Sequence, residues 1–270
     1  MNPTFAGLWC IFSEPFVDDP VRIDEIVRLL TDPRWPWQPQ LLSASSIPGG
    51  PRTAQVKGKI RRADLAGAIR AALCAPSTAS ILFTCSKLND ANHATVALDT
   101  GRFAPGPDKV KFTLRAHLHV DALPAGTSPS SWIPLWHDLV RAVRGVHAVI
   151  PVTASRYAMS DELYLSTTNV NGRLQHPDAM EIQRIHRHRR DIGATCVRPP
   201  RWGNYLPPYA VEAAGGHDAI AAAVEPAVLT EVGSLLYVQL SAIEEALSAA
   251  TREKQEALAK LLAPVMVRTT

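Results

Sequence analysis

The segment from Lys109 to Val120 constrains the fold more than any other stretch of the chain. Val110, Phe112, Leu114, Ala116, Leu118 and Val120 alternate strictly with Lys109, Lys111, Thr113, Arg115, His117 and His119. A period of two over that length describes a strand with one face buried and the other solvated or covered by polar partners. A parallel sheet buried on both faces would read as a continuous apolar run, so the alternation favours antiparallel pairing. Neighbouring segments agree. Ser80–Ser86 and His93–Asp99, separated by Lys87-Leu88-Asn89-Asp90, predict a hairpin, and Leu229–Val232 with Ser234–Leu240 predict another around Gly233. Phe5–Phe12 and Val146–Val152 are short apolar runs that read as buried strands, and Tyr164–Thr168 reads as a further one.

Helical stripes lie between these strands. Asp18-Asp19-Pro20 opens a helix with Ile23, Ile26, Val27 and Leu30 on one face, and Pro33 ends it. A second helix spans Arg62–Cys74 with Leu65, Ile69 and Leu73 aligned. A third spans Ser131–Arg144 with Trp132, Leu135, Trp136, Leu139 and Val143 aligned, which places both tryptophans in the core. A polar helix is expected from His176 to about Arg190, and a short one from Pro207-Pro208 to the pair Gly215-Gly216. The last helix is expected to open at Ser241-Ala242-Ile243-Glu244 as a capping box. The sum is an α+β fold, a mainly antiparallel sheet with flanking helices. One domain over residues 1–270 is expected, and the Pro/Gly/Ser-rich connection at 121–131 is the place where two halves would meet.

Hydrophobic residues at 46% and charged residues at 20% suffice for a sizeable core. No apolar run approaches a membrane span, and Met1–Cys10 lacks the form of a secretory leader, so a cytoplasmic location is expected. The four cysteines form no metal-finger pair, and Cys10 and Cys85 sit in apolar runs as small buried hydrophobes. Phosphate-loop, dinucleotide, H-E-x-x-H and nucleophile-elbow signatures are absent, so no catalytic residue and no cofactor is assigned. His117 and His119 would share one face of their strand and are the sharpest metal candidates, but Lys111 and Arg115 beside them oppose a cation. A metal-dependent hydrolase using these two histidines and a carboxylate such as Asp121 is the alternative reading. The net charge of +3 gives little general attraction to nucleic acid, and direct nucleic-acid binding is not expected. The basic groups do concentrate at Arg184, Arg187, His188, Arg189 and Arg190, a run suited to an acidic protein surface. Trp35 and Trp37, held in a proline-rich loop, are candidate contact residues for the same purpose.

The most distinctive stretch is Pro200-Arg201-Trp202-Gly203-Asn204-Tyr205-Leu206, followed by a short helix, Gly215-Gly216 and an apolar strand pair. Together with the N-terminal strand–helix unit it resembles the immunity proteins of bacterial polymorphic-toxin and type VI secretion systems, in particular immunity protein family 52. That family has an α+β fold and a tryptophan-glycine motif, carried here by Trp202 and Gly203. The resemblance covers the C-terminal third well and the rest loosely. It implies a protein that is not an enzyme and that binds and silences a cognate toxin encoded next to it. The family's usual partner is a toxin of a restriction-endonuclease-like nuclease class. Within the motif, Arg201, Trp202, Gly203, Tyr205, Gly215 and Gly216 are expected to be structural: a buried indole fixing the chain, and glycines permitting turns. Nucleic-acid mimics are strongly acidic and this chain is not, so direct mimicry is not expected; either Arg184–Arg190 pairs with an acidic, metal-binding toxin site, or the protein blocks substrate access or toxin assembly from elsewhere.

Overall fold

Asp19 shows how local sequence sets the first helix. Its carboxylate accepts from the Arg22 amide at 3.1 Å and Pro20 occupies the first turn, so helix α1 (Pro20–Leu30) starts where the chain pattern places it. In the computed structural model of the chain, residues 5–35, 41–46, 64–75, 78–84, 94–100, 112–120, 131–155, 158–159, 162–163, 185, 188 and 191–267 are described. They form two units, one of residues 12–145 and one combining residues 1–11 with 146–270. The division therefore follows Gly145, downstream of the 121–131 connection, whose central residues 121–130 lie outside the described residues.

In the 12–145 unit, strands β2 (Leu41–Ser46), β3 (Thr78–Thr84), β4 (Ala94–Asp99) and β5 (Phe112–His119) pair antiparallel in that order. β5 is the alternating segment. Phe112, Leu114, Ala116 and Leu118 are buried, while Arg115, His117 and His119 are half-buried. Its polar face is covered rather than wet at Thr113, whose amide and hydroxyl both donate to Asp99 Oδ2. Helix α2 (Leu65–Cys74) buries Leu65, Ile69 and Leu73, and α3 (Ile133–Ala142) buries Leu135, Trp136 and Leu139. Trp132 and Trp136 are fully enclosed with ring centroids 4.2 Å apart. Arg22 joins α1 to α3: its guanidinium donates to the Ala142 and Val143 carbonyls, the orphan acceptors at the end of α3.

His137 on α3 carries a testable consequence. Burial, reinforced by Arg141 and opposed by Asp138, pushes its imidazole down to about 4. An unfolded histidine titrates near 6.5. Between those values the unfolded chain binds a proton that the folded chain refuses, so stability falls as pH drops from about 6.5 towards 4. Urea midpoints at pH 7.5, 6.0 and 5.0 should decline more steeply for the native chain than for His137→Gln. A parallel decline in the two would refute this origin.

The other unit contains β1 (Phe5–Phe12), all of whose residues are buried, and β6 (Gly145–Ile150), which adjoin in the sheet. The two-residue β7 (Val152–Thr153) pairs antiparallel with the start of β1. The order continues through β8 (Gly203–Leu206), β10 (Leu235–Gln239) and β9 (Val228–Val232), each pair antiparallel. Helices α4 (Pro208–Ala213), α5 (His217–Val224) and α6 (Ala249–Leu262) cover this end, burying Val211, Ile220, Val224, Leu258 and Leu262 against Leu206, Leu236 and Val238. A second cluster gathers Phe5, Trp9, Ile11, Val149, Met159, Leu163, Ile185, Ile192 and Val267.

Two local expectations are corrected here. α5 is a helix that the pattern did not reveal, inserted between Gly216 and the hairpin and closed by Glu225 in the left-handed region. The final helix opens at Ala249 with Ser248 as its cap, not at Ser241, and residues 243–245 form only a 3-10 turn. Ser241 is otherwise engaged: its hydroxyl receives bonds from the Trp202 indole and Thr251 and donates to the Ala242 carbonyl. As a result Ala250 is exposed, Leu247 and Leu261 are half-buried, and Leu262 takes the core position.

Candidate interaction surface

The tryptophan-glycine motif builds β8 and the polar network beneath it. Asn204 brackets Arg201, accepting from its amide at 2.7 Å and donating to its carbonyl at 2.7 Å. Trp202, 2% exposed, donates its indole N–H to the Ser241 carbonyl at 3.1 Å and hydroxyl at 3.2 Å. Tyr205 is fully buried with its ring 4.8 Å from Tyr237. Gly203 is not in a turn, contrary to expectation. It opens β8, and a Cβ there would stand 3.0 Å from Ile150 Cβ and 3.1 Å from the Tyr237 hydroxyl, so the glycine permits close approach within the sheet. Gly215 and Gly216 do need glycine's freedom, both at φ of 90° between α4 and α5.

Next to the motif, Arg198 is completely buried. It donates to the Glu162 carboxylate at 2.7 Å and to the Glu162 carbonyl at 3.2 Å, and its guanidinium lies 4.5 Å above the Trp9 ring. Arg201 takes the second Glu162 oxygen at 2.9 Å. His147 completes the network: one ring nitrogen donates to the Tyr205 carbonyl at 2.8 Å and the other accepts from the Arg198 amide at 3.2 Å. That pattern describes a neutral ring with a fixed tautomer. These charges face one another, not a ligand, and the cluster stiffens the base of β8.

The other sequence candidates fall elsewhere. Trp35 is 6% exposed, because its indole turns inward to donate to the Leu29 carbonyl at the end of α1, so the expected partial exposure is corrected for this residue. Trp37, Arg184, Arg187, Arg189 and Arg190 lie outside the described residues, as do Cys85 and Tyr164–Thr168. His188 is half-buried, with Nδ1 3.4 Å from Asp191. His117 stands opposite Thr95 across β4 and β5, its ring nitrogens 2.7 and 2.8 Å from the Thr95 hydroxyl. Asp121 lies outside the described residues, and among the described residues no three metal-type side chains converge.

A different surface emerges from the fold. The Gly215–Gly216 turn sets α4 and α5 beside the β9–β10 hairpin, leaving an open groove of about 500 Å³. Leu206, Val211, Leu235 and Leu236 supply apolar lining, and Glu212 and Glu231 supply carboxylates. β9 terminates the strand order, and Val228, Thr230 and Glu231 along it are exposed. Between residues 203 and 262 the sequence carries eight carboxylates against three cations, Arg252, Lys254 and Lys260. All eight (Glu212, Asp218, Glu225, Glu231, Glu244, Glu245, Glu253 and Glu256) are exposed, and none has an ion-pair partner among the described residues. In the 12–145 unit, by contrast, Glu14, Asp24, Glu25, Asp32, Asp99 and Asp138 each pair with an arginine. The overall charge of +3 hides this local excess; counting charge by segment would have found it.

Among the described residues no helix is long and apolar enough to cross a membrane. No protein-family model matches the sequence, and no curated protein matches it either. A solved structure does resemble the fold: the type VI secretion protein described as "Pseudomonas aeruginosa T6SS protein PA0821" superposes with a TM-score of 0.56. The match covers 98% of this chain and 74% of that one at 12% sequence identity. Sequence likeness to immunity protein family 52 thus finds no match among family models, while the α+β architecture is shared with a protein of a type VI secretion system.

Proposed function

We propose that this chain is an immunity protein that binds a bacterial toxin, an effector of a type VI secretion system, and neutralises it by stoichiometric protein–protein contact. The observation that carries the reading is the likeness of fold to a type VI secretion protein over nearly the whole chain. The tryptophan-glycine motif is consistent with it as scaffold, since a rigid, internally satisfied β8 holds surface elements ready and lowers the ordering cost of association. The chain acts without chemistry or cofactor of its own in this reading, within the cytoplasm of the toxin-producing cell. A toxin of the restriction-endonuclease-like nuclease class is the finer expectation that the family resemblance brings.

Co-expression with the toxin gene that this reading places beside its own tests the proposal directly. Growth arrest caused by the toxin should be relieved, and the two chains should co-purify at a one-to-one ratio. Arrest that persists with no complex formed would remove the proposal. Relief without a complex would point to a catalytic antidote instead.

A further inference from the structure

We infer that the groove between the α4–α5 turn and the β9–β10 hairpin is the docking site for an extended, lysine- or arginine-bearing segment of the protein partner. The inference rests on the reading of the chain as a toxin-binding protein and adds to it the location and chemistry of the contact. Three independent features converge. β9 ends the strand order, and an edge with free backbone groups is the standard template for an added strand. Alternate side chains of such a strand need pockets, and the groove beside the hairpin offers apolar lining from Leu206, Val211, Leu235 and Leu236.

The third feature selects the occupant. Glu212 and Glu231 line the groove, and Asp218 and Glu225 lie close in sequence on α5 and at its end. All four are exposed and lack an ion-pair partner among the described residues; Lys254 Nζ reaches the Glu225 carbonyl at 2.6 Å, so the negative potential at the groove comes from Glu212, Asp218 and Glu231. A second copy of this chain would bring the same carboxylates against themselves, which like-charge repulsion opposes. A basic segment meets complementary charge and is steered to the site from a distance.

The test uses the full chain and the toxin with which it co-purifies. Because Glu212 and Glu231 are exposed and make no ion pair among the described residues, Glu212→Lys/Glu231→Lys should keep the native fold, as circular dichroism and an unchanged urea midpoint would establish. Titration calorimetry in 0.1 M salt should then show affinity reduced by roughly tenfold or more, with Glu212→Gln/Glu231→Gln intermediate. Amide exchange at residues 229–232 should slow when the complex forms. An affinity within twofold of the native value, or protection confined to other elements, overturns the site while leaving the immunity reading intact. Slowing of the same amides with rising concentration of this chain alone, accompanied by dimer in sedimentation, overturns it in favour of self-association. Failure to form any complex removes the site together with the reading it rests on.

Discussion

Glu162→Ala should destabilise the protein by about 3–5 kcal/mol, the cost of leaving a buried charge without its partner. Arg198 has no exposed surface, so its guanidinium cannot turn to water when the carboxylate is removed. The variant keeps the Glu162 main-chain carbonyl at 3.2 Å and the Trp9 ring at 4.5 Å, two neutral contacts in place of a carboxylate at 2.7 Å. At roughly 2–4 °C per kcal/mol for a chain of this size, the melting temperature should drop by about 10 °C. Arg201 contributes less to the loss: its side chain is 11% exposed and has the Pro200 carbonyl as a further acceptor. Arg198→Met in the Glu162→Met background should therefore recover much of the deficit, since replacing a whole buried pair costs far less than breaking it. Urea unfolding of the two single variants and the double provides the comparison. A single-variant cost under about 1 kcal/mol would mean that Glu162 is not what compensates the buried guanidinium.

The parts of the fold that repeat a simple period were legible in the sequence. β5 alternates because one face meets the core and the other meets Asp99 and Thr95, and α1, α2 and α3 show their stripes because each buries one side only. β8 was not legible. All four of its residues are buried, so it has no alternation, and Gly203, which looks like turn chemistry, is there to let Ile150 and Tyr237 close in. α5 hid behind two glycines, and the capping residue of α6 was misplaced because Ser241 bonds to the distant Trp202. Long-range pairing also defeats a linear reading. The first strand groups with residues 146–270, a pairing that no linear stretch announces. The candidate surface shared this problem. Its carboxylates are visible in the sequence, but only the hairpin and the α4–α5 turn bring Glu212 and Glu231 to one groove. Trp35, picked for its proline-rich setting, caps α1 from inside.

Trp202→Ala is the second large effect, with an expected loss of about 3–5 kcal/mol for removing a buried indole. Two terms combine. The ring is 2% exposed, so its removal opens a cavity that the surrounding strands can fill only in part. Its N–H also anchors Ser241, whose hydroxyl receives Thr251 from the first turn of α6. The single Thr251 hydroxyl proton lies between Ser241 Oγ and the Glu245 carbonyl, so the indole and Thr251 meet at Ser241 where the chain passes from β10 into the last helix. Trp202→Phe separates the terms: it keeps most of the apolar volume, loses the donor, and should cost about 1–2 kcal/mol. The Ser241 carbonyl retains Gln239 Nε2 at 2.9 Å, which limits that second loss. Limited proteolysis should find the alanine variant cut first near residues 241–248, between β10 and α6. Binding of the proposed toxin partner should weaken only in proportion to the fraction unfolded, recovering at lower temperature. Charge reversal at Glu212 and Glu231 should behave in the opposite way, weakening binding while leaving the unfolding midpoint in place. If Trp202→Ala instead lowered affinity at full stability, the motif would be part of the contact surface and not its support.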